Sequence, residues 1–213
     1  MNPIPKLRLQ REAITKANTW FDPSLATLAL GARSFCNWDE DSVTMAVEAA
    51  RDATDAAVRE QIETLCLAST SLPFLDRQNA VIVAEALQVG ETLRTMDVTG
   101  SQRAGTTGLL SMIDRVQADG SAALLVASEH RRSRVGSRAE MLYGDAAAAL
   151  VLGADEGIAR FVDSHSIAVD FIDHFRMDGF EFDYGWEDRW VRDEGYLKLV
   201  PAVVQPLLEK TGI

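Results

Sequence analysis

Between Asp41 and Leu152 the chain alternates short apolar runs of strand composition with longer stretches whose apolar residues recur at helical spacing, and this alternation constrains the fold most tightly. Asp41 to Val58 sets Val43, Ala46, Val47, Ala50, Ala53 and Ala57 at helical spacing. The acidic run Asp39-Glu40-Asp41 before it suits a helix amino-terminus, so a single helix is expected there. Ile62 to Ala68 reads as a buried strand, closed by Ser69-Thr70-Ser71-Leu72-Pro73, where proline ends regular pairing. Asn79 to Leu87 is again helical and Leu93 to Thr99 strand-like. Ala104 to Val116 carries Leu109, Leu110, Ile113 and Val116 on one face, and Ser121 to Ser128 and Ala146 to Leu152 are near-continuous apolar strands. Strands alternating with helices predict an α/β fold, a mostly parallel sheet with helices on both faces. In such sheets chemistry gathers at the carboxyl ends of the strands, which directs attention to the loops after Ala68, Thr99 and Ser128.

Composition narrows the function. The chain has 213 residues, 47% hydrophobic and 25% charged, enough apolar material for a packed core. A formal net charge of -11 argues against a nucleic-acid partner and against a surface for anionic lipid. No stretch reaches the roughly 18 consecutive apolar residues of a membrane span, and Met1 to Gln10 lacks the apolar region of a signal peptide, so a cytoplasmic location is expected. Cys36 and Cys66 make no disulfide framework and are expected to be small buried apolar residues. His130, His165 and His174 show no metal-ligand spacing and are expected to be loop or surface histidines; no metal and no cofactor are expected.

The segment from Asp97 to Thr106, Asp-Val-Thr-Gly-Ser-Gln-Arg-Ala-Gly-Thr, is a strand end followed by small residues and a helix start. Unpaired N–H groups and the positive end of a helix dipole suit a nucleophile or an anion, although an ordinary strand-to-helix turn has the same composition. The segment resembles the nucleophile turn of the thiolase superfamily. Ketoacyl synthase III enzymes begin this turn with an Asp-Val-Ser type strand end, and hydroxymethylglutaryl-CoA synthases follow the cysteine with Lys-Ala-Gly-Thr. Counted forward from Asp97 or backward from Arg103-Ala104-Gly105-Thr106, the cysteine position falls on Gln102. Three further segments resemble the same family in order: Asp41 to Ala50, Tyr143-Gly144-Asp145-Ala146 with the strand after it, and Asp173-His174-Phe175-Arg176 with Arg192 to Tyr196. The resemblance implies a thiolase-like amino-terminal domain over residues 1–156. Over 157–213 it implies the final strand, an aromatic excursion and the first helix of a carboxyl-terminal half cut short at Thr211-Gly212-Ile213. The beginning also resembles a clipped start, because Pro3 to Arg8 is similar to residues that follow the family's first strand.

The resemblance implies an acyltransferase working on a coenzyme A or acyl-carrier thioester, with two departures. Gln102 stands at the nucleophile position, where an amide cannot attack a thioester but can hydrogen-bond its carbonyl, as in decarboxylating loading ketosynthases. Thr70 stands at the general acid/base position, where a threonine cannot shuttle protons at neutral pH. Ser101, Arg103, Gly144 and Asp145 are the implied substrate-binding residues, Ser101 lying one residue outside the nucleophile position. Arg131, Arg132, Arg134 and Arg138 form a basic cluster that suits either coenzyme A phosphates or a solvated loop with local ion pairs. Phe180 to Trp190 interleaves aromatics with charge, as a packed excursion or subunit contact does. Two functions follow as expectations: a thioester-handling protein of the hydroxymethylglutaryl-CoA synthase or 3-oxoacyl synthase III type, incompetent for condensation as this chain alone, or a non-catalytic platform for a thiolase or an OB-fold partner. Either is expected to form a homodimer or hetero-oligomer.

Overall fold

Among the described residues, two short antiparallel strands, β1 (Arg8–Gln10) and β2 (Ala32–Ser34), pair with each other. This is a computed structural model, and it describes residues 8–11 and 22–213. The segment Pro3 to Leu7, expected to follow a first strand, lies outside the described residues. The chain divides into two compact units, Met1–Glu156 and Gly157–Ile213.

In the first unit a four-stranded sheet has the order β4-β3-β5-β6, built from β3 (Ile62–Ala68), β4 (Arg94–Val98), β5 (Ala122–Glu129) and β6 (Ala146–Leu152). β3 pairs in parallel with both β4 and β5, whereas β6 runs antiparallel to β5, so the sheet is mixed and mostly parallel. The two-residue period of a strand sorts the side chains of β3 between two cores. Leu65 and Leu67 face α1 (Ser42–Ala53) and α3 (Asn79–Leu87), where Val43, Ala46, Ala50, Ala80, Val83 and Leu87 pack against them. Cys66 and Ala68 face α4 (Ala104–Asp119) through Ala104, Met112 and Val116. A Cβ added at Gly108 would stand 3.0 Å from Leu125 Cδ1 and 3.1 Å from Cys66 Sγ, so the missing side chain lets α4 lie close on the sheet.

The helix expected over Asp41 to Val58 is two helices, α1 and α2 (Ala56–Gln61). Asp41 starts the first with a capping box: its carboxylate accepts from the N–H groups of Val43 and Thr44, and Thr44 Oγ1 accepts from the Asp41 N–H at 2.7 Å. The break falls where side chains compete for the backbone. Thr54 is extended and its hydroxyl donates to the Ala50 carbonyl, while the Asp55 carboxylate accepts from Val58 N–H and begins α2. No helix among the described residues is long and apolar enough to cross a membrane.

In the second unit residues 157–173, where a final strand was expected, form no ladder with any described strand. The unit has one two-residue pair, β7 (His174–Phe175) with β8 (Tyr184–Gly185). A continuous helical run follows, from α6 (Asp188–Trp190) through a π-helical segment (Val191–Leu199) into α7 (Val200–Thr211). The aromatic excursion packs on itself: Phe175 and Tyr184 lie 5.2 Å apart by ring centroids, and Trp186 meets Tyr184 edge-on at 6.2 Å. Phe171 stacks on Trp190 and fills the space over Gly195, where a Cβ would come within 2.8 Å of the Phe171 ring.

Candidate functional site

The carboxyl ends of β3, β4 and β5 lie side by side, with Ala68 paired to Val98 on one flank and to Ala127 on the other. Each strand therefore delivers its outgoing loop to one edge of the sheet. The loop after β3 is tied down at its first three residues. Ser69 donates its N–H to the Val98 carbonyl at 3.0 Å, and its hydroxyl accepts from Ser71 N–H. Thr70 donates twice to one carboxylate, N–H to Glu129 Oε2 at 2.9 Å and Oγ1 to Glu129 Oε1 at 2.8 Å. Ser71 Oγ accepts the His130 N–H at 2.8 Å, and its carbonyl accepts the hydroxyl of the buried Ser42. Glu129, at the end of β5, thus meets Thr70 with both of its carboxylate oxygens.

The loop after β4 turns at Gly100, whose φ of 80° is a left-handed conformation that favours glycine. Ser101 organises the entry to α4: its hydroxyl accepts from Arg103 N–H at 3.2 Å and its carbonyl from Ala104 N–H at 2.8 Å. Gln102 sits in this turn just ahead of the helix, and Ser101, Gln102 and Arg103 are all exposed. The unpaired N–H groups and positive dipole end of a 16-residue helix favour an anion or a polarised carbonyl here. Asp97, at the end of β4, turns the other way and caps α3, accepting from Asn79 N–H and Ala80 N–H at 2.7 Å each.

Gly144 and Asp145 occupy the approach to β6, Gly144 exposed and Asp145 buried. A Cβ at Gly144 would meet Ser34 Oγ at 3.1 Å, and Ser34 Oγ donates to the Asp145 carbonyl at 2.5 Å. Asp145 is only 4% exposed. Its Oδ2 accepts the Cys36 N–H at 2.8 Å and its Oδ1 lies 3.1 Å from His130 Nδ1. Burial pushes the Asp145 pKa up, but the His130 contact and the Cys36 N–H together outweigh it and leave the carboxyl below its ordinary value. The same contact raises His130 against a smaller opposing effect of burial. His130 lies in a loop, as expected, and is there a half-buried partner of an internal carboxylate.

Neither cysteine is poised as a nucleophile. Burial, then the Asp145 charge, pushes the Cys36 thiol up to about 12. Burial and Asp97 push Cys66 up to about 11. Cys66 is fully buried as expected, whereas Cys36 is only partly so. In the basic cluster Arg131 lies over the Tyr143 ring at 5.7 Å, and Arg132, Arg134 and Arg138 are exposed.

Sequence reasoning pointed to Thr70 and Gln102 and missed Glu129, Cys36 and the role of His130. One signal was legible: Glu129-His130 directly follows an apolar run at a strand's carboxyl end. The Cys36 contact was not, because 109 residues separate it from Asp145.

No family model matches the chain. The hydroxymethylglutaryl-CoA synthase of Methanobrevibacter smithii is 28% identical over 215 residues, covering 98% of this chain and 61% of that enzyme. A crystal structure of a hydroxymethylglutaryl-CoA synthase complexed with CoA superposes with a TM-score of 0.86 at 20% identity, over 100% of this chain and 55% of that one. The curacin-pathway HMG synthase in complex with a holo donor acyl-carrier protein has a TM-score of 0.69 at 22% identity, over 84% of this chain and 46% of that one. These structural likenesses establish the fold. The chain is homologous to hydroxymethylglutaryl-CoA synthases and spans about six-tenths of the curated relative's length.

Proposed function

We propose that this homologue of the hydroxymethylglutaryl-CoA synthases binds an acyl thioester of coenzyme A or an acyl carrier, at the loops leaving β3, β4 and β5, without forming a covalent acyl-enzyme. The observation that carries this reading is the placing of Thr70 and Gln102 in the loops after β3 and β4, and of Glu129 at the end of β5, at one edge of a mostly parallel sheet within a thiolase-like fold.

Gln102 takes the nucleophile position in this reading. Its amide donates to the thioester carbonyl or to a substrate carboxylate, assisted by the amino-terminal dipole of α4. Ser101 and Arg103 flank the bound group, Ser101 shaping the turn and Arg103 offering a guanidinium to an anion. Gly144 and Asp145 act from behind, keeping the Ser34–Cys36 segment against the ends of β5 and β6. Glu129 presents a carboxylate hydrogen-bonded at Thr70, so proton transfer at this edge falls to it and not to the threonine. Condensation by this chain alone fails in this reading, because neither residue 102 nor either cysteine supplies a thiolate. The complete acyltransferase chemistry belongs to the relatives.

A second reading, a non-catalytic platform for a thiolase or an OB-fold acyl-CoA-binding protein, is favoured by the same loss of nucleophile and acid at positions 102 and 70. Calorimetric titration with acetyl-CoA separates the two. The first reading predicts saturable binding that weakens by about tenfold or more in Gln102→Ala, the order expected for losing one hydrogen bond to a polarised group. No heat with acetyl-CoA, in a protein that still recruits a thiolase-type partner, would reject the first reading and support the second.

A further inference from the structure

We propose that Cys36, His130 and Asp145 form a binding site for a divalent transition-metal ion of zinc's class. One donor atom from each, Cys36 Sγ, His130 Nδ1 and an Asp145 carboxylate oxygen, lies within 4.8 Å of the other two. No other group of three such side chains meets this condition among the described residues. The three come from separate segments, the stretch after β2, the residue after β5 and the residue before β6.

Each ligand is held by a contact of its own. Cys36 N–H donates to Asp145 Oδ2, His130 N–H donates to Ser71 Oγ, and the Asp145 carbonyl accepts from Ser34 Oγ. Such outer contacts fix first-shell ligands in metal proteins. His130 Nδ1 gives the site its chemical direction. The nitrogen is buried and 3.1 Å from Asp145 Oδ1, yet makes no well-directed hydrogen bond, so the pair is held by charge and a cation between them satisfies both atoms. Bonds of about 2.0–2.3 Å to a tetrahedral zinc require donor atoms nearer each other than 4.8 Å, a closure the Cys36 side chain supplies by rotating away from Met45 Sδ, now 3.5 Å distant.

Charge and ligand type select the ion. A thiolate and a carboxylate balance a divalent cation, which suits a site whose carboxylate is almost fully buried. Glu40 and Asp41 add negative field near Cys36, while Arg132 opposes it beside His130. One thiolate, one imidazole and one carboxylate favour zinc or cobalt over magnesium or calcium, which take all-oxygen shells.

The test is a titration of the chelator-treated chain with Co(II), followed by the thiolate-to-cobalt charge-transfer absorption, with Zn(II) competition by calorimetry. The expected result is one Co(II) per chain with a charge-transfer band that Zn(II) abolishes. Cys36→Ser loses the band, and His130→Ala weakens Zn(II) binding by about 100-fold or more. Cys66→Ala keeps both, and circular dichroism confirms that each variant is folded. Absence of the band in the wild-type chain, or a band that survives Cys36→Ser, overturns the proposal. Neither outcome depends on whether the chain binds a thioester.

Discussion

Thr70 and Glu129 illustrate how a side chain's role is assigned by its partners more than by its position in the chain. Thr70 has no group that exchanges a proton near neutral pH, but its hydroxyl and N–H grip both oxygens of one carboxylate. Gln102 and the two cysteines complete the argument at this scale: an amide faces the open turn, and both thiols are held protonated, at about 12 and about 11. A thiol whose pKa is raised has less thiolate at any given pH, so iodoacetamide at pH 8 is expected to leave Cys36 and Cys66 unmodified in the native chain and to modify both after unfolding, as read by mass spectrometry. Rapid alkylation of one cysteine in the folded protein would contradict this electrostatic account. The partnerships of Cys36 and His130 with Asp145 were not legible in the sequence because each is a tertiary contact. Asp145 meets one across 109 residues, and no local pattern encodes that separation.

At the scale of elements, local composition carried most of the information. Strand Ile62–Ala68 agrees with its apolar run because nearly continuous burial leaves no choice of face, helix Asn79–Leu87 agrees through one buried face, and Ala146–Leu152 agrees in its bounds although Ala149 is its one buried residue. The region from Asp41 to Val58 did not read correctly, since a threonine and an aspartate that fit the helical spacing also compete for its backbone. Gly108 is a second case in which packing, and not propensity, decides. Glycine is a poor helix former, yet α4 carries it at the point nearest Cys66 and Leu125. Gly108→Val is expected to destabilise the fold by about 1–3 kcal/mol in a urea melt through overpacking, despite replacing a glycine inside a helix. An unchanged or raised midpoint would show that α4 is not pressed on the sheet as described.

For the whole molecule, the alternation of strand and helix placed three loops on one sheet edge, and the antiparallel β6 closed the other flank. The fold class was legible because a parallel sheet demands crossover helices, whereas the edge was less so: motif counting directed attention to positions 70 and 102 but not to the carboxylate that reaches Thr70. The central proposal is that residue 102 sits at the mouth of a thioester-binding edge, where its amide cannot act as a nucleophile. Incubation with radiolabelled acetyl-CoA, followed by denaturation and peptide mapping, tests it most directly. The wild-type chain is expected to carry no covalent label, and Gln102→Cys to acquire it at residue 102. Label on the wild-type chain, or a folded Gln102→Cys variant that stays unlabelled, would contradict the account.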